Sequence, residues 1–184
     1  MGAVTLDLDF SKVNPKQKLA LEDKHKYIGY GGARGGGKSW FVRVKAILLA
    51  VFYAGIKVLI VRQTYPELMN NHIREMRNIL YKIAKYVDKE KIFYFPNGST
   101  IQFMYCRNDA DLDRFQGTEF DVIFIDEATH LTEYQIKTIG LCMRGANEFP
   151  KRIYFTTNPG GASHHYFKRI FIDKDYMPAE NPED

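Results

Sequence analysis

A glycine-rich loop that ends in lysine and serine is the part of this 184-residue chain where residue types and spacing point most clearly to chemistry. It fits the pattern G-x-x-x-x-G-K-[ST], which binds nucleotide phosphates. Its glycines let the backbone approach an anion, and N–H groups of the loop and the next helix point at that anion. Lys38 can reach the β- and γ-phosphates of ATP, and the Ser39 hydroxyl is a Mg²⁺ ligand. The predicted ATP-binding residues here are Gly32, Ala33, Arg34, Gly35, Gly36, Gly37, Lys38, Ser39 and Trp40.

Two adjacent acids, Asp126 and Glu127, end an apolar run in the sequence DVIFIDE. Hydrolysis of ATP requires a carboxylate for the Mg²⁺ shell and a group that orients or activates water. Asp126, at the tip of the predicted strand, suits the metal role, and Glu127 suits the water role. Strands often end in acids, so the pair alone is weak evidence for a catalytic site. Together with the phosphate-binding loop upstream, it becomes strong evidence.

Asn158 follows another predicted strand, in the sequence FTTNP. Its amide can bond water or the γ-phosphate, which makes it a candidate sensor of hydrolysis. The alternative is an ordinary turn asparagine before proline. Because the carboxyl ends of parallel strands meet at one edge of a sheet, we favour the sensor role.

Apolar patterning supplies the elements that these motifs require. A short helical stretch at 16–22 contains Gln17, whose amide offers an adenine edge both a donor and an acceptor. A solvent-facing glutamine is the alternative that remains open there. An Asn97-Gly98 turn predicts a β-hairpin. The pattern indicates an α/β fold with a mostly parallel central sheet, flanking helices and this inserted hairpin. The predicted elements are strands at 27–30, 57–61, 92–95, 100–105, 121–125 and 152–155, helices at 40–53, 67–86 and 132–144, and a loop at 106–120.

Composition narrows the function classes. Hydrophobic residues make up 45% of the chain and charged residues 26%, as in globular proteins. No apolar run approaches the ~20 residues of a membrane span. The net charge of +4 is compatible with nucleic acid without demonstrating binding. Cys106 and Cys142 lack metal-ligand spacing, so we expect free core thiols in a reducing compartment.

The ordered set of motifs resembles the ATPase domain of the large terminase subunit, the motor that packages DNA into tailed-phage heads. The resemblance covers residues 14–172 and includes Tyr166 where tryptophan is expected. It rests on the sequences GGARGGGKS, VRQTYPEL, RFQGTEFDVIFIDEATHL and TTNPGGASHHYFKRIFI. It implies a RecA-like, additional-strand P-loop ATPase domain at 1–172. Residues 173–184 would be a linker toward a C-terminal nuclease domain that this sequence lacks.

The resemblance also implies roles for single residues. Gln17 would contact adenine, Lys38 and Ser39 would bind phosphate and Mg²⁺, and Asp126 would complete the metal site. Glu127 would activate water, and Asn158 would couple hydrolysis to movement. Arg34 would contact phosphate or a neighbouring subunit. Arg114 is the first candidate for an arginine finger acting in trans and Arg144 the second, with surface arginines as the alternative reading.

The implied cofactors are ATP and Mg²⁺. The implied partners are double-stranded DNA, the portal protein, the small terminase subunit and further copies of the chain in a homo-oligomeric ring. No membrane is expected, and the expected location is the host cell cytoplasm. Two other functions remain open: a helicase-like DNA-dependent ATPase, which would be expected to have a second RecA-like domain, and a nucleotide-binding switch that hydrolyses poorly in isolation.

Overall fold

The computed structural model of the chain describes residues 6, 8, 10–11, 13–32, 35–145, 147–177 and 180. Within these residues, seven strands form one sheet in the order β1-β7-β6-β2-β5-β4-β3. The strands are β1 (Tyr27–Gly31), β2 (Lys57–Arg62), β3 (Lys85–Val87), β4 (Ile92–Tyr94), β5 (Thr100–Tyr105), β6 (Val122–Ile125) and β7 (Arg152–Thr157).

The first five strands in that spatial order run parallel, and β4 and β3 continue the sheet antiparallel. Strand β7 lies between β1, which leads into the phosphate loop, and β6, which leads into the acidic pair. This is the position of the additional strand that the family resemblance implies. The predicted hairpin is also confirmed as β4 and β5, but β5 pairs in parallel with β2 as well. The hairpin therefore extends the main sheet.

Helices cover both faces of the sheet. The α-helices are α1 (Pro15–Glu22), α2 (Lys38–Phe52), α3 (Tyr65–Leu68), α4 (Arg74–Ile79), α5 (Glu133–Gly140) and α6 (His164–Phe167). Met69–Ile73 and Lys168–Asp173 are π-helices, and Asp109–Phe115 and Ala128–His130 are 3₁₀-helices. Among the described residues, no helix has the length and apolar character needed to cross a membrane.

The sheet separates two apolar cores because successive strand residues point to opposite faces. In β6, Val122 and Phe124 join the core beneath α2 and α4. Ile123 and Ile125 join the other core, which includes residues of α5. Burial on both faces explains why β6 is apolar throughout. It also fixes β6 in the middle of the sheet, with its acidic end at the carboxyl edge.

The structure corrects three of the elements predicted from the sequence. The helix predicted over 67–86 is divided by a π-helix and ends at Ile79; Lys82 then takes a left-handed backbone with φ of 66°. Tyr86 instead lies in β3, where its ring packs 4.7 Å from that of Phe93. The helix predicted over 132–144 ends at Gly140. The segment 106–120, predicted as a loop, contains a 3₁₀-helix whose Leu112 and Phe115 enter a core.

Candidate functional site

The phosphate loop joins β1 to the first turn of α2. Three of its carbonyl oxygens accept hydrogen bonds from side chains: Lys38 Nζ donates to Gly32 (3.1 Å), Tyr30 Oη to Gly36 (3.2 Å) and Gln17 Nε2 to Gly37 (3.2 Å). A loop held by its carbonyls can present its N–H groups to an anion. Burial lowers the pKa of Lys38, while Asp126 and Glu127 act in the opposite direction. Ala33 and Arg34 lie outside the described residues, so their predicted contacts stay predictions.

Gln17 is buried, with 5% of its surface exposed, so the solvent-facing alternative is wrong. Its Oε1 accepts from the Asn14 N–H at 2.9 Å and closes the N-terminal capping box of α1. Gly37 has a φ of 71°, and a Cβ at this position would lie 2.2 Å from Gln17 Nε2. The glutamine thus anchors the loop, and its predicted adenine contact stays a prediction. Trp40 packs edge-to-face on Phe10, 6.0 Å between centroids.

Asp126 links the phosphate loop to the acidic strand. Its Oδ2 accepts from Ser39 Oγ at 3.2 Å and from His72 Nε2 at 2.7 Å. Arg62 Nε lies 3.0 Å from the same oxygen. Its Oδ1 accepts from Thr156 Oγ1 at 2.5 Å. The carboxylate is 1% exposed, so four side chains from four parts of the chain replace its hydration.

These contacts decide the ionisation of the cluster. Burial alone would raise the pKa of Asp126, but His72, Arg62 and Thr156 together hold that pKa below its usual range. For His72, burial lowers the pKa more than the adjacent Asp126 raises it. The site therefore presents an ionised carboxylate beside a hydroxyl. Both are hard oxygen ligands of the kind that Mg²⁺ prefers, so Asp126 and Ser39 fit this metal.

Glu127 follows Asp126 in a left-handed backbone conformation, with φ of 55°. Such strain at a non-glycine residue persists where surrounding contacts enforce it, often at functional sites. Here the Glu127 N–H donates to Thr156 Oγ1 at 2.9 Å. Its carboxylate pairs with Arg62 Nη2 at 2.9 Å and lies 3.5 Å from His130 Nδ1. Arg62 thus bridges both acids of the motif.

Asn158 lies just beyond β7, at the same sheet edge. Its Oδ1 is buried without a hydrogen-bond partner among the described residues. Its backbone oxygen accepts from Thr129 Oγ1 at 3.4 Å. Gly161 brings the following turn so near that a Cβ there would lie 2.3 Å from the Thr129 oxygen. The segment after β7 is therefore packed directly against the segment after Glu127.

The two candidate finger arginines are each about half exposed. Arg114 pairs with Asp111 at 3.0 Å and lies over the Tyr105 ring, 4.3 Å from its centroid. The Arg144 side chain lies 3.6 Å from the Glu119 carboxylate. Its backbone N–H donates a hydrogen bond to the backbone oxygen of Phe120, which precedes β6 at the opposite sheet edge. Neither arginine contacts Asp126 or Glu127 in the described part of the chain. Their roles in trans stay predictions.

Three further residues contribute to the site, none of them among the predicted site residues. Arg62 and Thr156 each lie at the carboxyl end of an apolar strand, where a polar residue is a usable signal. His72 lies four residues after Leu68 and four before Met76, on the apolar stripe of the predicted helix. The periodicity alone predicts that a histidine at this position is buried. It does not predict the partner, because Asp126 is 54 residues away in the sequence.

The sequence and the fold both match known proteins. A family model described as phage terminase large subunit matches residues 24–183. Among curated proteins, no sequence matches the chain. The large terminase of a thermophilic bacteriophage is similar in structure, with a TM-score of 0.73, 17% identity, and coverage of 87% of this chain and 42% of that one. The complex of that terminase with ATP-γ-S gives a TM-score of 0.66 and 20% identity, covering 88% and 41%.

The large terminase ATPase domain of Thermus phage P74-26 is also similar, with a TM-score of 0.62 and 15% identity, covering 92% of this chain and 74% of that domain. The chain thus spans less than half of the first terminase and most of an isolated ATPase domain. At these identities the likeness shows the fold, a mostly parallel RecA-like sheet with flanking helices.

Proposed function

The chain belongs to the phage terminase large subunit family, and on that premise we propose that it is the ATP-hydrolysing motor domain of such a subunit. It would drive translocation of double-stranded DNA into a procapsid. The large terminase of the thermophilic bacteriophage has been solved with ADP and with ATP-γ-S, which supports a nucleotide as the ligand here. A helicase-like ATPase is not favoured by this family membership.

The observation that carries the proposal is the hydrogen bond from Ser39 to Asp126 at 3.2 Å. These residues are 87 positions apart, and each comes from a motif predicted independently to bind a phosphate or its metal. Their contact brings Lys38, a hydroxyl and an ionised carboxylate together at the N-terminus of α2. That set suits a nucleotide triphosphate with its metal.

Mg²⁺ would be held by Ser39 and Asp126, and it would neutralise charge on the phosphate oxygens. Lys38 would bind the β- and γ-phosphates, and the loop N–H groups would hold the remaining oxygens. Glu127 would orient and activate the attacking water. In that role its carboxylate must leave its ion pair with Arg62 and hydrogen-bond the water instead. Asn158, whose buried Oδ1 lacks a partner among the described residues, would detect the γ-phosphate.

One observation favours a second candidate, a nucleotide-binding switch that hydrolyses slowly in isolation. The Glu127 carboxylate is ion-paired with Arg62 at 2.9 Å, and neither Arg114 nor Arg144 contacts the site within the described chain. Motors of this class often complete their site with an arginine finger, which can be supplied by a neighbouring subunit. We propose Arg114 as that residue and Arg144 as the second candidate.

The test compares ATP turnover of the wild type with that of Glu127→Ala, with and without double-stranded DNA. Loss of a general base is expected to lower turnover about 10²–10⁴-fold. Affinity for ATP-γ-S should change little, because Glu127 acts on water. Glu148→Ala removes an exposed glutamate and is the matched control.

Lys38→Ala completes the set and should abolish binding of ATP-γ-S. Wild-type turnover that persists in Glu127→Ala would show the water assignment to be wrong. Binding of ATP-γ-S without turnover under every condition would favour the switch. Failure of the wild type to bind ATP or ATP-γ-S would overturn the proposal.

We infer that the portal protein and small terminase subunit are partners, and that the chain acts in the host cytoplasm. Residues 173–184 would lead to a nuclease domain. Glu180 contacts the body of the fold, since Lys137 of α5 pairs with its carboxylate at 2.9 Å, and Arg169 pairs with the same carboxylate at 2.7 Å. An ordered start to such a connection would couple the two domains mechanically.

A further inference from the structure

His72 lies outside every motif that the function uses, yet it makes one of the shortest polar contacts in the site. It belongs to the π-helix Met69–Ile73, which follows β2 and α3. Its side chain is fully buried, and Nε2 lies 2.7 Å from Asp126 Oδ2. Wide helical turns of this kind often occur at functional sites. The contact therefore joins an irregular element to the carboxylate proposed to bind Mg²⁺.

A buried histidine is often only a core residue that has found a partner. In that case both ring nitrogens would be expected to be satisfied. Nδ1 of His72, however, is buried without a hydrogen-bond partner among the described residues. Since a carboxylate only accepts, Nε2 must carry the proton and donate it. The hydrogen bond to Asp126 is then the interaction that offsets the free-energy cost of burying this polar ring.

The other side chains that contact Asp126 have further interactions. Arg62 is shared with Glu127, through Nη2 at 2.9 Å. Thr156 also accepts the Glu127 N–H at 2.9 Å. Ser39 belongs to the proposed metal site itself. Any movement of Glu127 toward water would disturb the first two contacts, whereas His72 contacts Asp126 and not Glu127. It is thus the donor that can hold the carboxylate while its neighbours rearrange.

We propose that His72 is a positioning residue for Mg²⁺-nucleotide binding, whose Nε2–H keeps the Asp126 carboxylate facing Ser39 as Arg62 and Glu127 change partners. This inference rests on the proposed function. Hydrogen bonds that orient metal ligands typically contribute 10–100-fold to metal affinity or activity, so the effect should be measurable. It predicts a defect in metal dependence, with affinity for metal-free nucleotide unchanged.

The experiment measures ATP-γ-S affinity by calorimetry in excess Mg²⁺ and in EDTA, and takes the ratio of the dissociation constant in EDTA to that in Mg²⁺. His72→Gln keeps an amide N–H within reach of Asp126, and His72→Asn is one methylene too short. We expect His72→Asn to lower the ratio about tenfold or more, and His72→Gln to retain most of it. Affinity in EDTA should stay the same in both. His25→Asn, at an 86% exposed side chain, is the matched control.

A purely structural role would lower the Tm and the bound fraction in both His72 variants while leaving the ratio unchanged, and that result would overturn the inference. If His72→Asn does not fold, His72→Met fills the space without a donor and gives the same comparison. Asp126→Asn distinguishes failure of the His72 role from failure of the proposed metal site. If it abolishes the Mg²⁺ dependence and His72→Asn does not, His72 alone was misassigned. If the wild type shows no Mg²⁺ dependence, the proposed metal site fails and the inference with it.

Discussion

At the scale of single residues, the site is a set of charges that few water molecules can reach. Asp126 and Arg62 are both nearly inaccessible, and their mutual pairing avoids the cost of a lone buried charge. Removing one partner from such a pair typically costs about 3–5 kcal/mol. Substitutions of Arg62 will therefore change stability as well as turnover. Variants of Glu127, which is 29% exposed, separate the two effects better.

The loop glycines offer a test at the same scale. Gly35 and Gly37 both have left-handed backbones, with φ of 80° and 71°, but only a Cβ at Gly37 would meet Gln17. Gly35→Ala should lower the free energy of unfolding by about 1–2 kcal/mol through backbone strain. Gly37→Ala should lower it further, because Gln17 must move and lose its bond to the loop. Urea unfolding without nucleotide measures both. Equal losses would mean that the contact with Gln17 contributes nothing to stability.

At the scale of elements, the site depends on caps and connections more than on regular secondary structure. The capping box of α1 uses Gln17 Oε1 while Nε2 of the same side chain holds the phosphate loop. Helix α1 therefore cannot shift without moving the loop.

The segment after Lys168–Asp173 is held in a similar way, through Glu180. This carboxylate accepts from Arg169 at 2.7 and 3.1 Å and from Lys137 at 2.9 Å.

The Glu180 contacts predict a pH dependence. The hydrogen bond with Arg169, followed by those with Lys137 and the Met177 N–H, outweighs burial and lowers the pKa of Glu180 from 4.5 to about 2. Because the folded-state pKa lies below the unfolded one, Glu180 stabilises the fold above the unfolded value. That contribution falls as pH drops from 4.5 toward about 2.

Urea unfolding of the wild type and of Glu180→Gln measures this contribution at neutral pH and in acid. We expect the wild type to be more stable at neutral pH, and the difference to shrink in acid. Glu148→Gln, at an exposed glutamate, is the matched control. A difference that stayed constant down to about pH 3 would contradict the ion-paired state of Glu180.

Prediction from sequence succeeded where one local pattern determines the outcome. Strand β6 and the hairpin turn follow from apolar runs and from Asn97-Gly98, and the phosphate loop follows from its spacing. It failed where a distant contact overrides the local pattern. Lys85–Val87 continues the helical spacing of the preceding residues but pairs with β4. Leu112 and Phe115 are buried in a core, although the sequence around them is polar and predicts a loop. For the same reason the partnership of His72 with Asp126 was not visible.

At the scale of the whole molecule, an arginine finger acting in trans would make hydrolysis depend on the assembly of several copies. If Arg114 acts in trans, turnover per chain should rise with protein concentration. Mixing two inactive variants, Arg114→Ala and Glu127→Ala, should then restore turnover, because some interfaces combine an intact finger with an intact base. Arg74→Ala, at another exposed arginine, serves as the control and should remain active alone.

Linear turnover with concentration and no rescue on mixing would exclude Arg114 as a shared residue. The same mixing experiment with Arg144→Ala tests the second candidate. Rescue by one arginine variant and not the other would identify the finger directly. Rescue by neither, with both variants fully active alone, would mean that the two are ordinary surface arginines.

The sheet order also has a consequence for how the protein is made. Strand β1, which leads into the phosphate loop, pairs with β7. Tyr27 therefore reaches its register partner Ile153 only after the chain between them has been synthesised. At about 5–20 residues per second, a ribosome would need roughly 6–25 s to supply that partner. During synthesis the loop sequence emerges early but has no sheet to support it. Nucleotide binding should therefore appear only once β7 has left the ribosome, and nascent chains stalled before residue 152 should not retain ATP.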